Sequence, residues 1–96
     1  MDNRLYLIDL YDIYGELLTD KQKEYFEDYY FDNLTLQEIS ENNEVSRNAI
    51  HKQLKEVEDK LNHFEDILKL YKKNKRIKEI CNELDENIKN KILDIL

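Results

Sequence analysis

The chain has 96 residues with no proline and a single glycine, and its 22 acidic and 15 basic side chains give a formal net charge of −7. Because proline and glycine mark turns, their scarcity argues against a β-rich fold and predicts an all-α one, and the length suits one domain with one core. No apolar run approaches the ~20 residues that cross a bilayer, so we expect no membrane insertion and a cytoplasmic location. Cys81 has no partner for an intramolecular disulfide, and its helical spacing among apolar residues predicts a buried thiol.

Charge is distributed unevenly along the chain. Residues 1–45 contain 3 basic and 12 acidic side chains, a net charge of −9, whereas residues 46–78 contain 10 basic and 5 acidic ones, a net charge of +5. Residues 79–96 return to −3. An acidic chain repels polyanions as a whole, but a basic segment can still bind phosphate locally. This distribution keeps nucleic acid among the candidate partners.

Apolar side chains at steps of three and four, beginning with Leu5, Ile8 and Tyr11, predict a first amphipathic helix over about 3–18 with these residues on its inward face. A capping box at residues 19–22 begins a second helix, which runs to about Phe31 and has an aromatic face. The tyrosines could be stacking platforms for unpaired bases, but their helical spacing favours a core with hydroxyls at its rim. The tyrosines expected in this core are Tyr11, Tyr14, Tyr25 and Tyr29.

Residues 35–56 have the pattern of a helix-turn-helix. Thr35 opens a short helix with a second capping box, residues 42–44 interrupt the periodicity, and Ser46 is the expected N-cap of a longer helix. An ordinary helical hairpin is the alternative, because many such motifs have glycine or asparagine where this chain has Glu44.

The expected packing of this motif selects its outward face. We expect small Ser40 to let the two helices approach, Val45 to fill the corner between them, and Ala49 and Ile50 to seat the second helix on the first. Five polar residues then point outward and suit phosphates and base edges. These candidate nucleic-acid or partner-binding residues are Arg47, Asn48, His51, Lys52 and Lys55.

A second periodicity begins at Ile50 and continues to Tyr71 in alternating steps of four and three over three heptads. It is typical of a coiled-coil seam and predicts one extended helix over about 46–74, followed by a C-terminal helix over about 77–96. The stripe can be covered by the N-terminal aromatic helix, by the C-terminal segment or by a second copy of the chain. We expect a homodimer.

Residues 69–78 contain six cations in ten positions. The segment is either a solvated helix face or hinge, or a patch for RNA, DNA or an acidic protein surface. Its candidate binding residues are Lys69, Lys72, Lys73, Lys75 and Arg76.

Catalytic chemistry is not indicated. Acidic pairs such as Asp9 and Asp12 share a helix face, but acid–base catalysis needs environments that separate their pKa values, and nothing in the pattern predicts such burial. A single glycine excludes a glycine-rich phosphate loop. His51 and His63 would lie roughly 18 Å apart on one helix, which does not suit zinc. We expect no enzyme activity, no metal and no cofactor.

Three stretches of the sequence resemble one family. They are YDIYGELLT at residues 11–19, KQKEY at residues 21–25, and EI with VSRNAI at residues 38–39 and 45–50. In that order, and over essentially the whole chain, they resemble the YlxM family of bacterial helix-turn-helix proteins. The resemblance implies a fold similar to the fourth region of housekeeping sigma factors, extended by a long helix. It also implies a link to the signal recognition particle (SRP) pathway, because the family is encoded beside that pathway's GTPase genes.

Two classes of function follow from these observations. In the first, the protein regulates the SRP pathway by binding its GTPase or its RNA through the long helix and the basic run. In the second, it is a transcription regulator that binds duplex DNA through the helix beginning at Ser46. A scaffold that binds protein only is a third reading.

Overall fold

The computed structural model describes residues 3–96 and consists of six helices, with no β-strand in that range. The prediction of an all-α fold is confirmed. The helices are α1 (Asn3–Tyr14), α2 (Asp20–Tyr30), α3 (Leu36–Asn43), α4 (Arg47–Leu68), α5 (Leu70–Cys81) and α6 (Glu86–Leu93), with a 3-10 turn at Gly15–Leu17. The molecule is elongated, at 53 × 26 × 25 Å.

Local capping chemistry determines where three of these helices begin. The Thr19 hydroxyl accepts a hydrogen bond from the Gln22 amide, and the Gln22 side chain accepts one from the Thr19 amide. Thr35 and Glu38 form the same pair at the start of α3. Ser46 accepts from the amide of Ala49 at the start of α4. The capping residues predicted from the sequence are therefore confirmed.

The main core lies between α4 and the N-terminal helices α1 and α2. Val57 and Leu61 of α4 are fully buried against Leu10 of α1 and Phe26 of α2. The N-terminal aromatic helices thus cover much of the apolar stripe of α4, which was one of the three coverings considered above. The stripe therefore supplies no argument for a second copy, and the homodimer stays a prediction.

The four tyrosines predicted in the core all pack there, two of them only partly buried. Tyr14 is buried in the main core and Tyr25 in the cluster under α3, while Tyr29 and the ring of Tyr11, which stacks on Phe26 with 4.2 Å between centroids, are half-buried. Tyr30, which was not in the predicted set, is also buried. The side of α1 predicted to face the core is wrong at Leu5, which is 70% exposed. The buried leucines of α1 are Leu7 and Leu10.

The predicted single helix over 46–74 is instead two helices. α4 ends at Leu68, Lys69 adopts a left-handed conformation with φ 55° and ψ 30°, and α5 begins at Leu70. The C-terminal helix predicted over 77–96 is likewise divided, because α5 continues to Cys81 and α6 begins only at Glu86.

A buried carboxylate explains the break at Lys69. Glu65 is 9% exposed, and its two oxygens accept hydrogen bonds from the amides of Tyr71 and Lys72 at 3.0 and 3.1 Å. The hydroxyl of Tyr14 donates to Glu65 at 2.7 Å and accepts from the amide of Leu70 at 3.0 Å. These contacts satisfy three amides that the first turn of a helix otherwise leaves without partners.

The C-terminal helices are loosely packed apart from one residue. Cys81 is 1% exposed, so the predicted buried thiol is confirmed. α6 has no buried residue and packs against α5. None of the helices in residues 3–96 combines the length and apolar character needed to cross a membrane.

Candidate nucleic-acid interface

α3, the turn at residues 44–46 and α4 form the helix-turn-helix. Glu44 is left-handed, with φ 55° and ψ 41°, and the amide of Val45 donates to the carbonyl of Ser40 at 3.1 Å. Buried Ser40 donates its hydroxyl to the carbonyl of Gln37. Because Ser40 is small and its hydroxyl is bonded within α3, it allows α3 and α4 to approach closely, as predicted from the sequence.

The corner between α3 and α4 is filled by other residues than Val45, so the expectation that Val45 fills it is wrong. Val45 is 41% exposed and lines a surface groove of about 300 Å³ together with Tyr25 and Ala49. The cluster that joins the two helices consists of Tyr25, Ile39, Ile50 and Leu54. The left-handed turn at Glu44 directs the chain so that Ile50, one turn into α4, reaches the core in place of Val45.

All five outward residues predicted on α4 are exposed. Positions 47, 51 and 55 are four residues apart, as are positions 48 and 52, so the five lie on one face of the helix. The only one in an ion pair within residues 3–96 is Lys55, whose Nζ lies 3.4 Å from Asp59 in an exposed pair that is worth little energetically. We call this set, Arg47, Asn48, His51, Lys52 and Lys55, the α4 face.

The first helix of the motif and the turn carry acidic side chains. Glu38 is held in the capping box of Thr35, and Glu41 accepts a hydrogen bond from Gln37. Glu44 lies exposed in the turn. The cationic surface of the motif is consequently narrow and confined to α4.

The six cations of residues 69–78 are all exposed, and five of them belong to α5. Lys69 forms the corner that precedes this helix. The inner side of α5 carries partly or fully buried residues, including Tyr71, Ile77 and Cys81. We call the exposed set predicted from the sequence, Lys69, Lys72, Lys73, Lys75 and Arg76, the α5 face.

The two basic faces are separate surfaces. α4 has 22 residues, so about 33 Å of helix lies between its first residue and the corner at Lys69. α5 packs against α1, where Lys75 and Lys78 share a cleft of about 350 Å³ with Asp9 and Asp12. Part of the charge of α5 is thereby balanced by α1, whereas the α4 face has only the glutamates of α3 and the turn.

The sequence interpretation missed Arg4, which belongs to the surroundings of the α4 face. Its Nη2 donates to the carbonyl of Tyr30 and to the side chain of Asn33, both at 2.8 Å. Arg4 and Arg47 line the same open cleft. The sequence does offer one indication that Arg4 is special, since it is the only basic residue before Lys21 in a strongly acidic segment.

Comparison with known proteins agrees with this geometry. The family model described as helix-turn-helix protein, YlxM / p13 like, with the name UPF0122, matches residues 1–95. The chain belongs to the UPF0122 family. It is 47% identical to a UPF0122 protein of Thermoanaerobacter sp. over 85 residues, which is 88% of this chain and 70% of that relative.

Other UPF0122 relatives align over nearly the whole chain. A protein of Ureaplasma urealyticum is 44% identical over 98% of this chain and 96% of its own length. One from Fusobacterium nucleatum is 38% identical over 98% of this chain and 91% of its own length. The family resemblance inferred from the sequence is therefore confirmed.

The UPF0122 description indicates a broad functional class. A helix-turn-helix family points to a regulatory or DNA-binding protein. Three tyrosines of this chain, Tyr11, Tyr14 and Tyr30, have a pKa raised above the ordinary value, first by burial and then by hydrogen bonds to glutamates. Each of these tyrosines packs in or against the core between α1, α2 and α4, so core packing explains their raised pKa values and these values do not mark a functional site.

Proposed function

We propose that this UPF0122 protein is a regulatory module that binds duplex nucleic acid through the α4 face. The observation that carries the proposal is the placement of five exposed polar residues on the first two and a half turns of the second helix of a helix-turn-helix. In that motif the second helix enters the major groove with its N-terminal residues against base edges. The amide of Asn48 suits a base edge, and the cations Arg47, Lys52 and Lys55 suit phosphates.

Charge favours a modest, salt-sensitive interaction. The three fixed cations of the α4 face, Arg47, Lys52 and Lys55, oppose the glutamates of α3 and a net charge of −7. Each phosphate neutralised contributes about −0.9 to the slope of log affinity against log salt, so three contacts give a slope of about −2.7.

A titration of labelled duplex DNA with the full chain over a salt series tests the proposal. Saturable binding with a slope near the expected value supports it. Arg47→Glu places a negative charge at the start of α4 and should abolish binding while leaving helical circular dichroism unchanged. Binding that persists unchanged in Arg47→Glu would contradict the role of the α4 face.

A second candidate function is binding of the SRP GTPase or its RNA through the α5 face. It is favoured by the exposed cations of α5, at the opposite end of α4 from the helix-turn-helix. The resemblance to the YlxM family supplies the link to that pathway. Reversing the charge of Lys72 and Lys73 together should then remove binding to SRP components and leave duplex binding unaltered.

A further inference from the structure

Arg4 is a cation held in place by uncharged acceptors. Its Nη2 donates to the carbonyl of Tyr30 and to the Asn33 side chain at 2.8 Å, with a longer contact of 3.4 Å to the carbonyl of Tyr29. The guanidinium carbon lies 5.0 Å from the centroid of the Tyr30 ring. Because none of these partners is a carboxylate, the contacts fix the position of the guanidinium without neutralising its charge.

A second guanidinium shares the same cleft. Arg47, the first residue of α4, is exposed and makes no ion pair within the described residues. Arg4 and Arg47 line an open cleft of about 380 Å³. Among the residues that the structure describes, no carboxylate lines this cleft, although residues 1–45 carry a net charge of −9. The cleft is thus a cationic site in the most acidic half of the chain.

Two guanidiniums facing one cleft suit oxyanions with several acceptor oxygens. Arginine presents planar, forked donors that match phosphate geometry, and such charge-assisted bonds are stronger than neutral ones. The cleft is open, so it can admit phosphates that are part of a larger chain. Its position at the first residue of α4 places such phosphates beside the helix that carries the α4 face.

We infer that Arg4 and Arg47 bind neighbouring backbone phosphates of the nucleic acid, one each, so that Arg4 adds a fourth phosphate contact to the three of the α4 face and sets its register on the duplex. This inference rests on the proposed function and adds a residue outside the helix-turn-helix to the interface. Phosphate contacts fix position and orientation, whereas base contacts give sequence preference. Arg4 therefore contributes affinity that is independent of the base sequence.

The test compares duplex binding by the full chain, Arg4→Gln, Arg4→Lys and Lys91→Gln over a salt series. Arg4→Gln should reduce the magnitude of the salt slope by about 0.9. It should also weaken binding about tenfold on every duplex sequence, as expected for the loss of one charge-assisted contact. Lys91→Gln, which removes an exposed cation of α6 outside both basic faces, is the matched control and should change neither quantity. Arg4→Lys keeps the charge and should keep the slope while losing part of the affinity.

Loss of folding does not imitate this result. Partial unfolding of Arg4→Gln lowers the fraction of active protein but does not change the salt slope of the molecules that bind. Equal slopes for Arg4→Gln and the unmodified chain, when Arg47→Glu still abolishes binding, overturn the inference and leave the proposed function intact.

A chain that binds no duplex at all overturns the proposed function, and the cleft is then tested alone. Inorganic phosphate is added to isotopically labelled protein, and the side-chain resonances of Arg4 and Arg47 are followed by NMR. Saturable shifts of both arginines would establish an anion site that serves free phosphate and not a nucleic-acid backbone. Absence of shifts would overturn the anion site itself.

Discussion

The two ends of α4 turn through the same backbone conformation by different means. Glu44 before the helix and Lys69 after it both have φ 55°. At the first corner, residues 44–46, a serine three residues from the amide that it caps completes the turn. At the second corner, residue 69, the cap is the buried carboxylate of Glu65 together with the hydroxyl of Tyr14, which lies 51 residues away. A local sequence pattern makes the first corner, whereas the second depends on the assembled core.

Removing the carboxylate of the second corner should give the largest effect. Glu65→Ala leaves the Tyr14 hydroxyl and the amides of Tyr71 and Lys72 without their acceptor, at a cost of about 3 kcal/mol of unfolding free energy. Urea unfolding followed by circular dichroism measures the loss. The control is Glu79→Ala, which removes an exposed carboxylate of α5 and should cost less than about 0.5 kcal/mol. Equal losses for the two variants would mean that Glu65 does not hold the corner.

The second corner should also weaken at alkaline pH. Burial, followed by the hydrogen bond to Glu65, raises the pKa of Tyr14 above its ordinary value. The folded protein therefore holds this proton more tightly than the unfolded chain, and the stability that results is lost as the pH rises above the unfolded pKa of about 10.

Unfolding free energies measured at pH 9 and pH 11 test this sign. Tyr14→Phe, which has no hydroxyl to ionise at this position, should lose less stability than the unmodified chain between the two conditions. Tyr11 and Tyr30 also have raised pKa values and stay in both proteins, so they serve as an internal reference. A larger alkaline loss in Tyr14→Phe would contradict the assignment.

Removing the cap of the first corner should cost less than removing Glu65. Ser46→Ala deletes the acceptor for the Ala49 amide and should destabilise the protein by about 1 kcal/mol. Ser46→Gly is the matched variant, because glycine at an N-cap loses only a few tenths of a kcal/mol relative to serine. If Ser46 acts as a local N-cap, Ser46→Ala should melt at a lower temperature than Ser46→Gly. Identical melting curves for the two variants would exclude a capping role for Ser46.

Glycine at either corner should give the smallest change in unfolding free energy, and the change should be stabilising. A left-handed backbone costs a residue with a side chain roughly 1–2 kcal/mol, and glycine avoids this cost. Part of the gain is offset because glycine has more conformational entropy to lose when the chain folds. Glu44→Gly and Lys69→Gly should each stabilise the fold by up to about 1 kcal/mol. Chemical unfolding of the two single variants gives the comparison, and destabilisation by either one would show that its side chain makes a contact of its own.

The same contrast explains what the sequence could predict. Thr35 and Ser46 lie three residues from the amides that they cap, so the helix-turn-helix and the placement of the α4 face could be predicted. The spacing from Ile50 to Tyr71 continues through Lys69 without interruption, and lysine is a good helix former, so nothing local marks the second corner.

One signal of the second corner was available and was not used. Glu65 follows Leu61 by four residues and therefore lies on the inward side of α4, where an unpaired carboxylate would be costly. Its partner could not be identified, because pairing Tyr14 with Glu65 requires knowing how α1 packs on α4. Arg4 was missed for the same reason, since its relation to Arg47 exists only after α1, α2 and α3 have assembled.

The account assigns different partners to the two ends of α4, and one set of titrations tests this directly. The unmodified chain, Arg47→Glu and the double variant Lys72→Glu with Lys73→Glu are each titrated against duplex DNA, the SRP RNA and the SRP GTPase at two salt concentrations. The account predicts that Arg47→Glu abolishes duplex binding, and that the double variant retains duplex binding while losing any binding to SRP components. Loss of duplex binding in the double variant, with Arg47→Glu unaffected, would contradict it and move the nucleic-acid interface to α5.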